Sequence, residues 1–262
     1  METTGEIFFQ VKKERSYISC TIKGCAYGFK HLGLLMPYIW PSLVLSIIMP
    51  IPFVFLFAAQ IDAILRKWIE LGFVPNAKLK TMKCDIERCV GRSAIKVLIY
   101  VLWVGIILTS FYAALFLGLK WWCLLIFCLL WLLLLPLSVV IMQVSYSDIT
   151  IKECFKSGFR IAYGNFGKLF PFEFLSTLLQ VIIIIMGAFP VIVLQAARLQ
   201  ALRSILMGDA TSLPLSFYLY AILASFICWT VAFITLLVFS FSRCLMWGSL
   251  VNEIPAETEA NS

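Results

Sequence analysis

Few side chains in this sequence could do chemistry. It has nine cysteines and one histidine, His31. Cys20/Cys25, Cys84/Cys89 and Cys123/Cys128 are each five apart, about 140° around a helix, so the members of a pair face apart. With no Cys-x-x-Cys and a single imidazole, the residues do not make a zinc site. The thiols read as small hydrophobes and His31 as an interfacial polar residue. Phosphate-loop, dinucleotide, nucleophile-elbow and zinc-protease patterns do not occur. No catalytic residue, cofactor or metal ligand is assigned, and the expectation is a protein that is not an enzyme.

Two groups of polar residues stand out. Gln60, Gln180 and Glu173 lie in or beside long apolar stretches and form a candidate intramembrane polar site. Glutamine there commonly bonds between helices. Glu173 follows Pro171 at an expected helix start, where the helix dipole favours a carboxylate. Lys152, Lys156 and Arg160 form an i, i+4, i+8 stripe. With Lys23, Lys30 and Lys168 they are candidates for contact with lipid headgroups or a protein partner.

The elements that must position these residues are transmembrane. Of 262 residues, 62% are hydrophobic and 13% charged, against roughly 25% charged in a soluble domain. Five apolar runs, 32–59, 97–119, 121–146, 174–197 and 215–242, are each long enough to cross a hydrocarbon core of ~30 Å. The fold class expected is all-α: a polytopic bundle of about five apolar segments with basic amphipathic interfacial helices. It forms a single membrane domain over 1–262, ending in a short acidic tail, 253–262. A signal peptide is not expected, because the first apolar run begins only at Leu32.

The net charge of +7 could suggest nucleic acid, but the lysines and arginines gather beside the apolar runs, in 1–31, 61–96, 147–168 and 196–209. That pattern is the positive-inside rule. The partners expected are therefore anionic membrane lipids, a membrane protein or a second copy, and no nucleic acid. The N-terminus is expected in the cytoplasm.

One stretch occurs twice. Residues 28–40, GFKHLGLLMPYIW, align with residues 162–174, AYGNFGKLFPFEF, at an offset of 134, matching Gly33 to Gly167, Leu35 to Leu169 and Pro37 to Pro171. Each copy follows a basic amphipathic helix and enters an apolar run. Further on, Ala58-Ala59-x-x-x-Ala63 matches Ala196-Ala197-x-x-x-Ala201. This reads as an internal duplication, with one repeat over about 18–146 and another over about 149–250. The segment Tyr163-Gly-Asn-Phe-Gly-Lys-Leu-Phe170, entering a span from a basic helix, resembles uncharacterised bacterial polytopic inner-membrane proteins. These are grouped with the membrane domain of glycerophosphodiester phosphodiesterases. The resemblance implies a multi-pass helical bundle of a bacterial inner membrane. The phosphodiesterase domain is absent from these residues, so its activity is not implied.

Pro50-Ile-Pro52 removes two backbone donors within three residues and should break a helix. Gly187-Ala-Phe-Pro190 is its counterpart in the second copy. If both runs fold back at these breaks, all four basic segments share one face. The alternative is five full spans with an exception to the charge rule. Two functions fit: a non-enzymatic membrane scaffold or assembly partner with a basic cytoplasmic face, and a small-molecule or lipid transporter subunit using the breaks at 50–52 and 187–190.

Overall fold

The computed structural model describes residues 15–72, 74, 83–118, 120–207 and 213–252. Lys12, Lys13, the expected turns at Pro75-Asn76 and Gly208-Asp209, and the acidic tail lie outside them. So do the side chains of Trp121, Trp122, Cys123 and Cys128. The described residues are helical: α1 Tyr17–Lys30, α2 Leu32–Ile48, α3 Pro50–Leu71, α4 Lys83–Phe116, α5 Lys120–Tyr146, α6 Ile151–Gly164, α7 Phe166–Leu206 and α8 Leu215–Asn252. Three of them, within Lys83–Ser110, Phe166–Leu206 and Leu215–Val251, are long and apolar enough to cross a membrane. Leu32–Ser46 and Leu135–Tyr146 are shorter apolar helices.

The first break forms where the prolines require it. Met49 leaves the helical region at φ −131°, ψ 82°, and Pro50 opens α3, where a missing N–H costs no helical hydrogen bond. The chain then folds back: Ser42 donates to Gln60 Oε1 at 2.7 Å, a pair that an unbroken helix would hold roughly 27 Å apart. α2 and α3 are therefore a helical hairpin. Gly72, in the left-handed region at φ 76°, ends α3, and its N–H bonds to Trp68 O.

The second break does not form. α7 is one helix of 41 residues through Gly187 and Pro190, so the expectation of a broken helix at 187–190 is corrected. Pro190 removes a single donor, which a membrane helix tolerates. Gly187 is there for packing: a Cβ would lie 2.8 Å from Val231 Cγ1 on α8. As α7 runs on, Arg198 and Arg203 are carried away from the end of the bundle where α6 lies. The four basic segments do not share one face.

Antiparallel pairing recurs. Lys67 meets Asp85 at 2.6 Å and Ser93 meets Asp62 at 2.6 Å, setting α3 against α4. Arg92 near the start of α4 bonds Ser147 O and Ile149 O past the end of α5. α7 and α8 pack together, with Gly187 against Val231. The bundle is thus three hairpins, α2–α3, α4–α5 and α7–α8, with α1 and α6 leading into the first and third. The start of α1 reaches the end of α8, where Arg15 N donates to Ser249 Oγ at 2.9 Å.

α1 and α6 take matching places. Ser16 and Thr150, 134 residues apart in sequence, are their N-caps, and each accepts from the N–H three residues on. Thr150 and Glu153 complete a capping box. Each helix turns small residues inward. A Cβ on Gly24 would lie 2.4 Å from Ser242 Cα of α8, and one on Gly158 would lie 2.9 Å from Val140 Cα of α5. Gly24-x-x-x-Gly28, which lies outside the apolar runs, is nonetheless a helix-packing seam. The large residues of α1's apolar face, Ile18, Ile22 and Phe29, are exposed. They point away from the bundle, while α1 runs antiparallel along α8 through Gly24 at Ser242 and Gly28 at Val238.

Candidate functional site: a cavity between the helices

Sequence spacing aims one face of each inner helix at a common space. On α3 these positions are Phe57 and Ile61, on α4 Lys96 and Tyr100, and on α8 Ser240 and Arg243, all at helical intervals. Together with α5 and α7 they line a cavity of about 670 Å³, a size typical of small-molecule sites.

Arg243 is the centre of its polar end. Nη1 donates to Tyr100 Oη at 3.0 Å, and the guanidinium carbon lies 5.8 Å from the Tyr100 ring centroid. Its Nε is buried and has no hydrogen-bond partner among the described residues. In sequence Arg243 stands at the end of an apolar run; α8 continues to Asn252, leaving the cation inside the helix. Tyr146 Oη donates to Ser240 O at 3.5 Å, closing one side.

Lys96 lines the same space and is ion-paired with Asp62, which is 1% exposed and also accepts from Ser93. By sequence both belong to a charged cytoplasmic segment. They form instead a buried pair between α3 and α4, with the third hydrogen bond that such a pair needs.

The three predicted polar residues separate. Gln180 lines the cavity, is 8% exposed, and its Nε2 has no partner among the described residues. Glu173 is 3% exposed, stands near enough to Arg243 and Tyr100 to act on both electrostatically, and leaves Oε1 without a hydrogen bond among the described residues. It is not at a helix start, because α7 begins at Phe166. Gln60 is buried in the α2–α3 contact with Ser42 and does not line the cavity.

The basic residues also divide. Arg66 donates to Ser145 O at 2.8 Å, Ser147 O at 3.2 Å and Asp148 Oδ1 at 2.8 Å. With Arg92 it covers the carbonyls that end α5, where a helix dipole favours cations. The Arg66 hydrogen bond, with Arg88 and Arg92 nearby, holds the Asp148 carboxyl below its usual range. Much of the segment 61–96 is thus used in holding the hairpins together. Lys23, Lys30, Lys152, Lys156 and Arg160 remain exposed, while Lys168 is half-buried in the first turn of α7. Among the described residues, no three metal-ligating side chains converge.

Arg243, Tyr100, Lys96 and Asp62 are site residues that the sequence reading misses. The signal for them is the spacing Leu236, Ser240, Arg243 on α8 against Lys96, Tyr100, Val104 on α4, two polar-to-apolar stripes that meet. Compared with protein-family models, with curated proteins and with solved structures, the chain matches none.

Proposed function

We propose that the protein is a multi-pass membrane protein that binds a small membrane-soluble molecule in the Arg243 cavity and serves to hold or move it within the bilayer. The supporting observation is the cavity's composition. A guanidinium, an ammonium, two phenols and an amide gather at one end of an otherwise apolar space. Charges at membrane depth are costly and mark binding or translocation paths. This reading develops the transporter alternative without its second helix break. The end of α3, the starts of α1 and α4 and the end of α8 lie at the basic end of the bundle, which we place toward the cytoplasm by the positive-inside rule. The matching caps and inward glycines of α1 and α6 support the internal duplication, one repeat over about 18–146 and another over about 149–250.

The scaffold reading keeps one specific support: Lys152, Lys156 and Arg160 lie exposed along α6, suited to anionic headgroups or an acidic membrane partner. Extraction into native-lipid nanodiscs followed by mass spectrometry separates the two. The cavity reading expects one small molecule or lipid enriched at stoichiometric level and lost when Gly105→Phe fills the space. A stoichiometric protein partner, lost when Lys152, Lys156 and Arg160 are reversed to Glu, would favour the scaffold instead.

A further inference from the structure

We infer that the cavity takes an anionic amphiphile, with a phosphate or carboxylate head against Arg243 and an acyl chain leaving along α4. The inference rests on the cavity reading above and adds the ligand's chemistry. The polar end is rich in donors. Arg243 Nε and Gln180 Nε2 are buried and lack partners among the described residues. Tyr100 Oη already accepts from Arg243, so its own proton remains to be given. Both cations that line the space, Lys96 and Arg243, lie on its wall, whereas Asp62 and Glu173 stand outside the lining. Asp62 is occupied by Lys96 and Ser93. Glu173 makes no ion pair with Arg243 among the described residues, although it acts on it through space. Converging donors with a guanidinium call for an oxyanion, the group Arg binds through paired N–H bonds.

The opposite end of the cavity fixes the rest of the ligand. Val101, Val104 and Leu108 line it and are 61%, 51% and 49% exposed, while Ile61, Ile141 and Met142 on the inner wall are 4% or less. The space therefore opens sideways across α4, on an apolar rim at the depth of the bilayer. A water-soluble anion would have to cross that rim, whereas a lipid already in the membrane presents its chain to it. Gly105 sits on this rim, and a Cβ there would meet nothing within 4 Å, which leaves room for a chain.

The test is displacement of a fluorescent-acyl phosphatidic acid from the purified, detergent-solubilised full chain. The competitors are phosphatidic acid, a fatty acid, phosphatidylcholine, diacylglycerol and inorganic phosphate. The expected result is displacement by the two acidic lipids at concentrations at least tenfold below phosphatidylcholine or diacylglycerol, with phosphate inert. Arg243→Gln should weaken binding about tenfold or more, Arg243→Lys less, and Gly105→Phe should abolish it while the thermal melt is retained. Equal displacement by the acidic lipids and by phosphatidylcholine and diacylglycerol, which carry no net charge, overturns the inference from the unaltered protein and needs no variant to fold. Displacement by phosphate at the same concentration overturns the amphiphile and leaves a free-anion site. If Gly105→Phe abolishes binding but Arg243→Gln does not, the anionic head is wrong and the cavity reading stands. If neither matters, both fall.

Discussion

Ser42 and Gln60 face each other across the first hairpin, hydroxyl to side-chain carbonyl at 2.7 Å, both almost completely buried. This contact joins the helices on either side of Met49, and through α3 it fixes the wall on which Phe57 and Ile61 meet the cavity. Ser42→Ala leaves the Gln60 oxygen buried without its donor. The expected loss is about 1 kcal/mol, toward the low values measured within membranes. Reversible unfolding in mixed micelles measures it, and Gln60→Leu on top of Ser42→Ala should recover part of the loss.

The buried pair Asp62–Lys96 should respond more strongly. Removing either partner leaves the other charge in an apolar surrounding, at a cost of about 3–5 kcal/mol. Asp62→Asn and Lys96→Met should each lower the melting temperature or prevent accumulation, and the double variant should be better tolerated than either. A double variant as unstable as the worse single one would show that the pair is not a mutual compensation.

Asp148 gives a pH dependence with a defined sign. Its carboxyl is held low by the Arg66 hydrogen bond, so folding favours the ionised form. That contribution is present above the ordinary carboxylate pKa of about 4 and is lost as pH falls through the depressed folded value. Asp148 is 69% exposed, so the effect is small and weakened by salt. Asp148→Asn should be less stable than the parent at pH 7, with the difference shrinking below pH ~4.

The glycines separate by what surrounds them. Gly24→Ala forces a methyl to 2.4 Å from Ser242 Cα, while a Cβ at Gly91 of α4 meets nothing within 4 Å. Gly24→Ala should therefore loosen α1 from α8, exposing Cys20 to maleimide. Gly91→Ala should stabilise the fold by up to about 1 kcal/mol through helix propensity.

Helical class and the first hairpin are legible in the sequence, the hairpin because Pro50 and Pro52 remove two donors within three residues. Gly187–Pro190 resembles that break but removes one donor, and its glycine answers to Val231. The faces of α1 are harder, because in a membrane an apolar stripe can face lipid or protein. Ile18, Ile22 and Phe29 make such a stripe, yet the bundle takes Cys20, Gly24 and Gly28. Arg243 has the look of a boundary residue because one charge usually ends an apolar run. Only its position three after Ser240, opposite Tyr100, gives it a place inside.

If α2–α3, α4–α5 and α7–α8 are hairpins that line the cavity between them, the starts of α4 and the far end of α7 lie on opposite sides of the bilayer. Impermeant maleimide on intact cells tests this most directly, with single-cysteine proteins carrying either exposed Cys84 at the start of α4 or Ser204→Cys near the end of α7. Cys84 should be labelled only after the cells are opened, and position 204 should be labelled from outside. Labelling of Cys84 in intact cells, with position 204 and a Lys23→Cys site on exposed α1 both protected, would mean that α2 and α3 cross as one span, and the cavity would lose its wall.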